Sequence, residues 1–205
     1  AGGYAVDGAA KDNTVTITGG TLGVLMSLYG GYSESESSGN TLNLYTKGNT
    51  VSNLSYFQTL NFYVPEGTTA GETMIEVTDT ADVSGAAIYA GVEDTTKLSP
   101  GEVINLIHDA NNPIATEGTT YSMMAGKDVT TDASFLQRKV YIKKQDDNTI
   151  VLYIPEDSQP FLNPDTKLLP EDRINAINTV KNAGDIVTDG AWNAAEGAWL
   201  EDHEV

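Results

Sequence analysis

The chain is predicted to be mainly β, a solenoid of the β-helix type that ends in a C-terminal helical segment. Three observations lead there. Apolar and polar side chains alternate over short runs in the first three-quarters of the sequence. A phrase that begins with Asn-Thr recurs, and aliphatic centres succeed one another at solenoid-like intervals. The prolines then gather near residue 155, after which the pattern turns helical.

Thr14-Val15-Thr16-Ile17-Thr18, Thr41-Leu42-Asn43-Leu44-Tyr45 and Val140-Tyr141-Ile142 alternate with period two. That is the mark of strands with one buried face. Ile150-Val151-Leu152-Tyr153-Ile154 is apolar throughout, as expected of a strand covered on both sides. Gly19-Gly20 and Gly30-Gly31 are expected to supply positive φ for turns. Asp146-Asp147-Asn148 separates two strand-like runs and signals a hairpin, because Asp and Asn tolerate the left-handed conformation.

Asn13-Thr14-Val15-Thr16-Ile17 is echoed by Asn40-Thr41-Leu42-Asn43-Leu44. Looser echoes begin at Asn49 and Asn148. Strand centres fall near Ile17, Leu42, Leu60, Ile75, Ile88 and Ile104, intervals close to those of stacked repeats of roughly 20 to 30 residues. Six or seven coils, about 4.8 Å apart, would make a rod roughly 30 Å long. Aliphatics would fill its interior, and Asn or Thr would satisfy backbone groups at the corners. The alternative is a β-sandwich of the same strands. It needs hairpin turn signals every ~8 to 12 residues, and residues 20–60 do not show them.

Prolines 155, 160, 164 and 170 are four of the seven in the chain. Proline cannot donate to a ladder, so the sheet is expected to end near Ile154. The expected organisation is a β-helix end and cap over 1–155, a connector over 156–169, and helix over 170–205. Pro170-Glu171-Asp172 suits a helix start. Ile174, Ile177 and Val180 come next on one face, and Gly184 suits the stop. Trp192 and Trp199 lie seven apart, on one side of a second helical stretch.

The formal net charge is −18 and the pI about 4.1. Such a chain repels phosphate backbones and anionic lipid surfaces, so nucleic acid is not an expected partner. A chain of this length buries roughly 70% of its unfolded surface and needs no disulfide staples. It has no cysteine, which favours an exported protein that crosses a membrane unfolded. Its start does not read as a signal peptide, and no apolar run approaches the ~20 residues of a membrane helix.

Gly19-Gly20-Thr21-Leu22-Gly23-Val24, Tyr29-Gly30-Gly31-Tyr32-Ser33 and Gly39-Asn40-Thr41-Leu42-Asn43-Leu44 resemble the end of the repeat array in large bacterial autotransporter passengers. The blocks Val51 to Pro65, Gly71 to Val77 and Ala81 to Ala86 are similar to the segment that comes directly after such arrays. Asp165 to Leu168, through Ala183 to Val187, is similar to the helical linker before the outer-membrane barrel. The resemblance covers most of the chain, and its middle block is the most specific part. It implies a right-handed parallel β-helix displayed outside the cell and anchored at the outer membrane. It also implies that residues 50–155 cap the β-helix and nucleate its folding. The implied partners are the outer-membrane barrel of the same protein and a host or neighbouring-cell surface, with adhesion the role of the whole. A surface matrix domain without a barrel is a further alternative.

No catalytic, cofactor-binding or metal-binding residue is expected. His108 next to Asp109 is a His-Asp pair, but no Gly-x-Ser-x-Gly elbow accompanies it, so a structural or surface role at a strand end is expected. His203 lies near the C-terminus. The acid pairs Asp79 with Asp82, Asp146 with Asp147, and Glu34 with Glu36 invite general acid–base chemistry. A polysaccharide-acting β-helix enzyme is therefore the enzymatic alternative. It would carry a Gly-His-Gly and an Arg-x-Lys, and the only basic pairs are Arg138-Lys139 and Lys143-Lys144. Asp146, Asp147 and Asn148 offer oxygen ligands for calcium but lack the EF-hand spacing; they are read as a turn. Tyr29, Tyr32, Tyr45, Tyr56, Tyr63, Tyr89 and Tyr121 are read as core and ladder material rather than a binding surface.

Overall fold

The computed structural model describes residues 3–5, 8–33, 36–93, 95–132 and 136–162. The chain divides into two compact units, 1–161 and 162–205. Only Leu162 of the second is described, so the helices expected beyond Pro170, with both tryptophans, lie outside the described residues. In chain order the strands are β1 (Tyr4–Ala5), β2 (Ala9–Lys11), β3 (Thr14–Ile17), β4 (Ser27–Tyr29), β5 (Tyr32–Ser33), β6 (Glu36–Ser38), β7 (Thr41–Leu44), β8 (Asn49–Ser55) and β9 (Thr59–Tyr63). Then come β10 (Thr73–Ala81), β11 (Ala87–Gly91), β12 (Val103–Asp109), β13 (Thr120–Met123), β14 (Val129–Asp132), β15 (Leu136–Lys139), β16 (Tyr141–Asp146), β17 (Thr149–Tyr153) and β18 (Phe161–Leu162). The fold is mainly β, and no helix occurs among the described residues.

Two larger sheets carry the core. In the first, β3, β7, β9, β11 and β13 lie side by side, every pair parallel. In the second, β4, β8, β10 and β12 are parallel neighbours, and β17 and then β16 extend the sheet antiparallel beyond β12. Parallel pairing of strands this close in sequence excludes a sandwich built from successive hairpins. The short pairs β1–β5 and β2–β6 are also parallel.

The register explains the echo. Thr14, Val15, Thr16 and Ile17 stand opposite Thr41, Leu42, Asn43 and Leu44. The Asn residues that head the two phrases, 27 apart, are bonded side chain to side chain at 2.8 Å. Register also corrects the reading of the aliphatic centres. They are not equivalent positions of successive repeats, because the chain alternates between the sheets. Leu42, Leu60 and Ile88 align in the first sheet, where Ile17 aligns instead with Leu44. Ile75 belongs to the second sheet and faces Ile107, not Ile104.

Alternation then sorts the side chains. Leu42, Leu44, Leu60, Phe62, Ile88 and Ala90 point inward from the first sheet and are fully buried. Val51, Leu54, Ile75, Val77, Ile104 and Ile107 do so from the second, and both sets join one apolar cluster. Each large aliphatic buried this way contributes roughly 1.5–3 kcal/mol. Ile150, Val151, Leu152 and Ile154 are fully buried, in keeping with their continuous apolar run. Turn formation at Asp146-Asp147-Asn148 makes the β16–β17 hairpin, with the Asn148 N–H donating to Asp146 Oδ1 at 2.9 Å. β17 stops at Tyr153, before Pro155, although the region expected as pure connector contains the short β18.

Two buried asparagines hold the bends. Asn40 is fully buried; its Oδ1 accepts from the Asn13 N–H, and its Nδ2 donates to Ala10 O and Ser37 Oγ, each at 3.1 Å. Asn49, also fully buried, accepts from the Leu22 N–H at 3.1 Å and donates to Met74 O at 3.0 Å. Side chains thus satisfy backbone groups at the corners where the ladder cannot. Gly20 has φ 72°, as a turn glycine should. Gly30 and Gly31 do not adopt positive φ; they are glycines for lack of space. A Cβ on Gly30 would stand 2.8 Å from Asn40 Cβ and Phe57 Cδ1, and one on Gly31 2.8 Å from Asn13 Nδ2.

Candidate functional site

The outward face of the second sheet carries the ionisable groups. Register places Thr50, Glu76, His108, Thr149 and Asp146 in one row across five strands. His108 Nδ1 lies 3.1 Å from Thr149 Oγ1, and Nε2 lies 3.8 Å from Glu76 Oε1. The partners of His108 are therefore cross-strand, not its sequence neighbour. Thr149 is only 6% exposed, so its hydroxyl is shielded from an approaching substrate.

Asp109 points the other way. Alternation turns it into the interior, where it is fully buried. Its Oδ1 accepts from the backbone N–H groups of Asn111 at 3.0 Å and Asn112 at 2.8 Å. Asn111 Nδ2 then donates to Thr78 O at 2.7 Å and Asn112 Nδ2 to Asp79 O, covering carbonyls where the register of β10 slips against β8. Asn148 Nδ2 donates to Asp109 O and Asn112 O, tying in the hairpin. The His-Asp pair is split: His108 lies on the outer face of the sheet, and Asp109 anchors a loop.

The remaining acids do not converge. Asp79 is exposed on β10, and Asp82 accepts from the Ser84 N–H. Glu36 pairs with Lys11, whose ammonium holds the carboxyl below its ordinary value; Glu34 lies outside the described residues, as does His203. Lys47, 2.6 Å from Glu72, likewise lowers that carboxyl, helped by the Thr69 N–H. Among the described residues no three His, Cys, Asp or Glu side chains come together to hold a metal ion. The basic pairs serve packing. Lys143 sits 4.3 Å over the Tyr153 ring, Lys144 donates to Ile114 O, and Arg138 donates to Ser158 O. Two open depressions, one lined by Lys139, Tyr141 and Phe161 and the other by Glu93, Lys127 and Gln137, contain neither His108 nor the acid pairs.

The tyrosines are mostly ladder rather than core material. Tyr121 alone of the seven packs against the core as a partly buried side chain, and burial pushes its hydroxyl above the ordinary phenol value. Tyr45, Tyr56 and Tyr89 are 37–41% exposed. Tyr29 and Tyr32 lean on Tyr56, with ring centroids 5.8 and 5.2 Å away. Tyr45 and Tyr63 stack face to face, centroids 4.1 Å apart and planes 4° from parallel. The hydrogen-bonded phenol of Tyr45, together with burial, raises the Tyr63 hydroxyl above its ordinary value. Beside them Asn61 Nδ2 donates to Asn43 Oδ1 at 2.8 Å, and Tyr89 stands next to Asn61 on the adjoining strand. Alternation alone would have placed Tyr45, Tyr63 and Tyr89 on the outer face; only register shows that they share one surface.

Comparison with protein-family models, curated proteins and solved structures gave no match.

Proposed function

We propose that this chain is the end of a right-handed parallel β-helix in the passenger of an exported bacterial surface protein, an adhesin-like autotransporter. It acts there without catalysis, as stalk and cap and as the segment that nucleates folding. The observation that supports this reading is the pair of parallel ladders, entered alternately by one chain and closed at β12 by an antiparallel hairpin. A chain that returns to two parallel sheets in turn winds as a coil, and parallel crossovers are almost always right-handed. An antiparallel hairpin on the last parallel strand of the second sheet takes the edge of that sheet to which further copies would otherwise add. The sequence resemblance to passenger ends supplies the export route, with the outer-membrane barrel of the same protein as partner and the cell surface as location.

The test is deletion of residues 50–155 from the full-length gene product. Surface display should then leave the preceding residues open to added protease, whereas the intact protein resists. Unchanged resistance overturns the folding role. The coding sequence after residue 205 should show the ~10-residue alternating strands of a barrel; a different continuation overturns the anchoring.

A further inference from the structure

The five strands of the first sheet contain no charged residue, in a chain with 29 acidic side chains. Their outward positions form aligned rows. Thr14, Thr41 and Thr59 make one row. Thr16, Asn43, Asn61, Tyr89 and Ser122 make the next. The Tyr45–Tyr63 stack flanks these rows. With strands about 4.8 Å apart, the face extends roughly 19 Å across the ladder. It presents hydroxyls, amides and aromatic rings in a repeating array.

From this face we infer that the chain binds an uncharged linear polysaccharide. Hydroxyls and amides both donate and accept, which suits the hydroxyl groups of a sugar. Exposed tyrosines offer an apolar ring face for sugar C–H groups and a phenol at the tip. An anionic glycan would meet the repulsion of a chain of net charge −18. Peptides dock on sheets chiefly at free edges, through main-chain hydrogen bonds, and an ionic partner finds no counter-charge on these strands. The inference needs only the register and alternation of this sheet, so it stands or falls independently of the export reading.

The test uses the full 205-residue chain in affinity electrophoresis through gels of soluble neutral β-glucan, mannan and galactomannan, with polygalacturonate as the anionic comparison, backed by a neutral-glycan array. At least one neutral glycan should retard the chain, little affected by salt, and polygalacturonate should not. Tyr89→Thr, which keeps a good strand former, and Tyr63→Ala should each weaken retardation roughly tenfold. Glu76→Gln, on the other sheet, should leave it unchanged. No binding to any neutral glycan overturns the inference, as does binding that the face variants leave intact. Self-association abolished by the same variants without glycan binding, read by sedimentation, assigns the face to a second copy and overturns it too.

Discussion

Asn40 shows how much one side chain can carry in this fold. Its amide is fully buried and satisfies groups from Ala10, Asn13 and Ser37, while its backbone N–H donates to Gln58 Oε1. Asn40→Ala strands several of these at once, and each buried orphan costs about 1–3 kcal/mol. The variant should lose at least that much in denaturant unfolding, far more than an exposed change such as Ser122→Ala. Tyr121 gives a pH dependence at the same scale. Burial raises its folded-state pKa above the ordinary 10.0, so its contribution is fully present below that value. It is lost as pH rises through the folded value. Tyr121→Phe should flatten this alkaline fall in stability when unfolding is measured on either side of the phenol pKa; an unaltered profile would remove the argument.

Strands and loops are tied together by polar staples at the scale of elements. The loop after β12 uses Asp109 to aim Asn111 and Asn112 at the irregular part of β10, and Asn148 secures the β16–β17 turn to the same loop. Asp109→Ala removes the acceptor for two backbone N–H groups and should destabilise the protein by about 1–3 kcal/mol. Asp109→Asn keeps an acceptor at that position, relieves a buried carboxylate and should cost less. The difference between the two, read from denaturant midpoints, separates an anchoring role from a mere preference for a small residue.

At the scale of the described molecule the governing fact is that most strand pairing is parallel and joins segments far apart in sequence. Each parallel strand closes a loop of the order of 20 to 30 residues before its contacts form, which makes folding slow and leaves edges exposed meanwhile. On the proposed reading the locally paired β16–β17 hairpin would template β12 and then β10. Under that proposal, deletion of 50–155 should be felt in the residues before it, and not only within the deleted region.

Much was legible along the chain. The strands at 14–17, 41–44 and 149–153, the inward side of the first two, the 146–148 hairpin and the Asn-led repeat come from local patterns, because period-two alternation and turn chemistry are properties of neighbouring residues. The acidic charge, and the partners it disfavours, come from composition. Tertiary structure alone decided the rest. Which sheet each strand joins, the cross-strand partners of His108 and the loop that Asp109 anchors, the crowding that demands Gly30 and Gly31, and the gathering of Tyr45, Tyr63 and Tyr89 on one uncharged face are all matters of pairing between segments far apart in sequence. Local pattern sets a side chain's face, but only pairing across the ladder sets its neighbours.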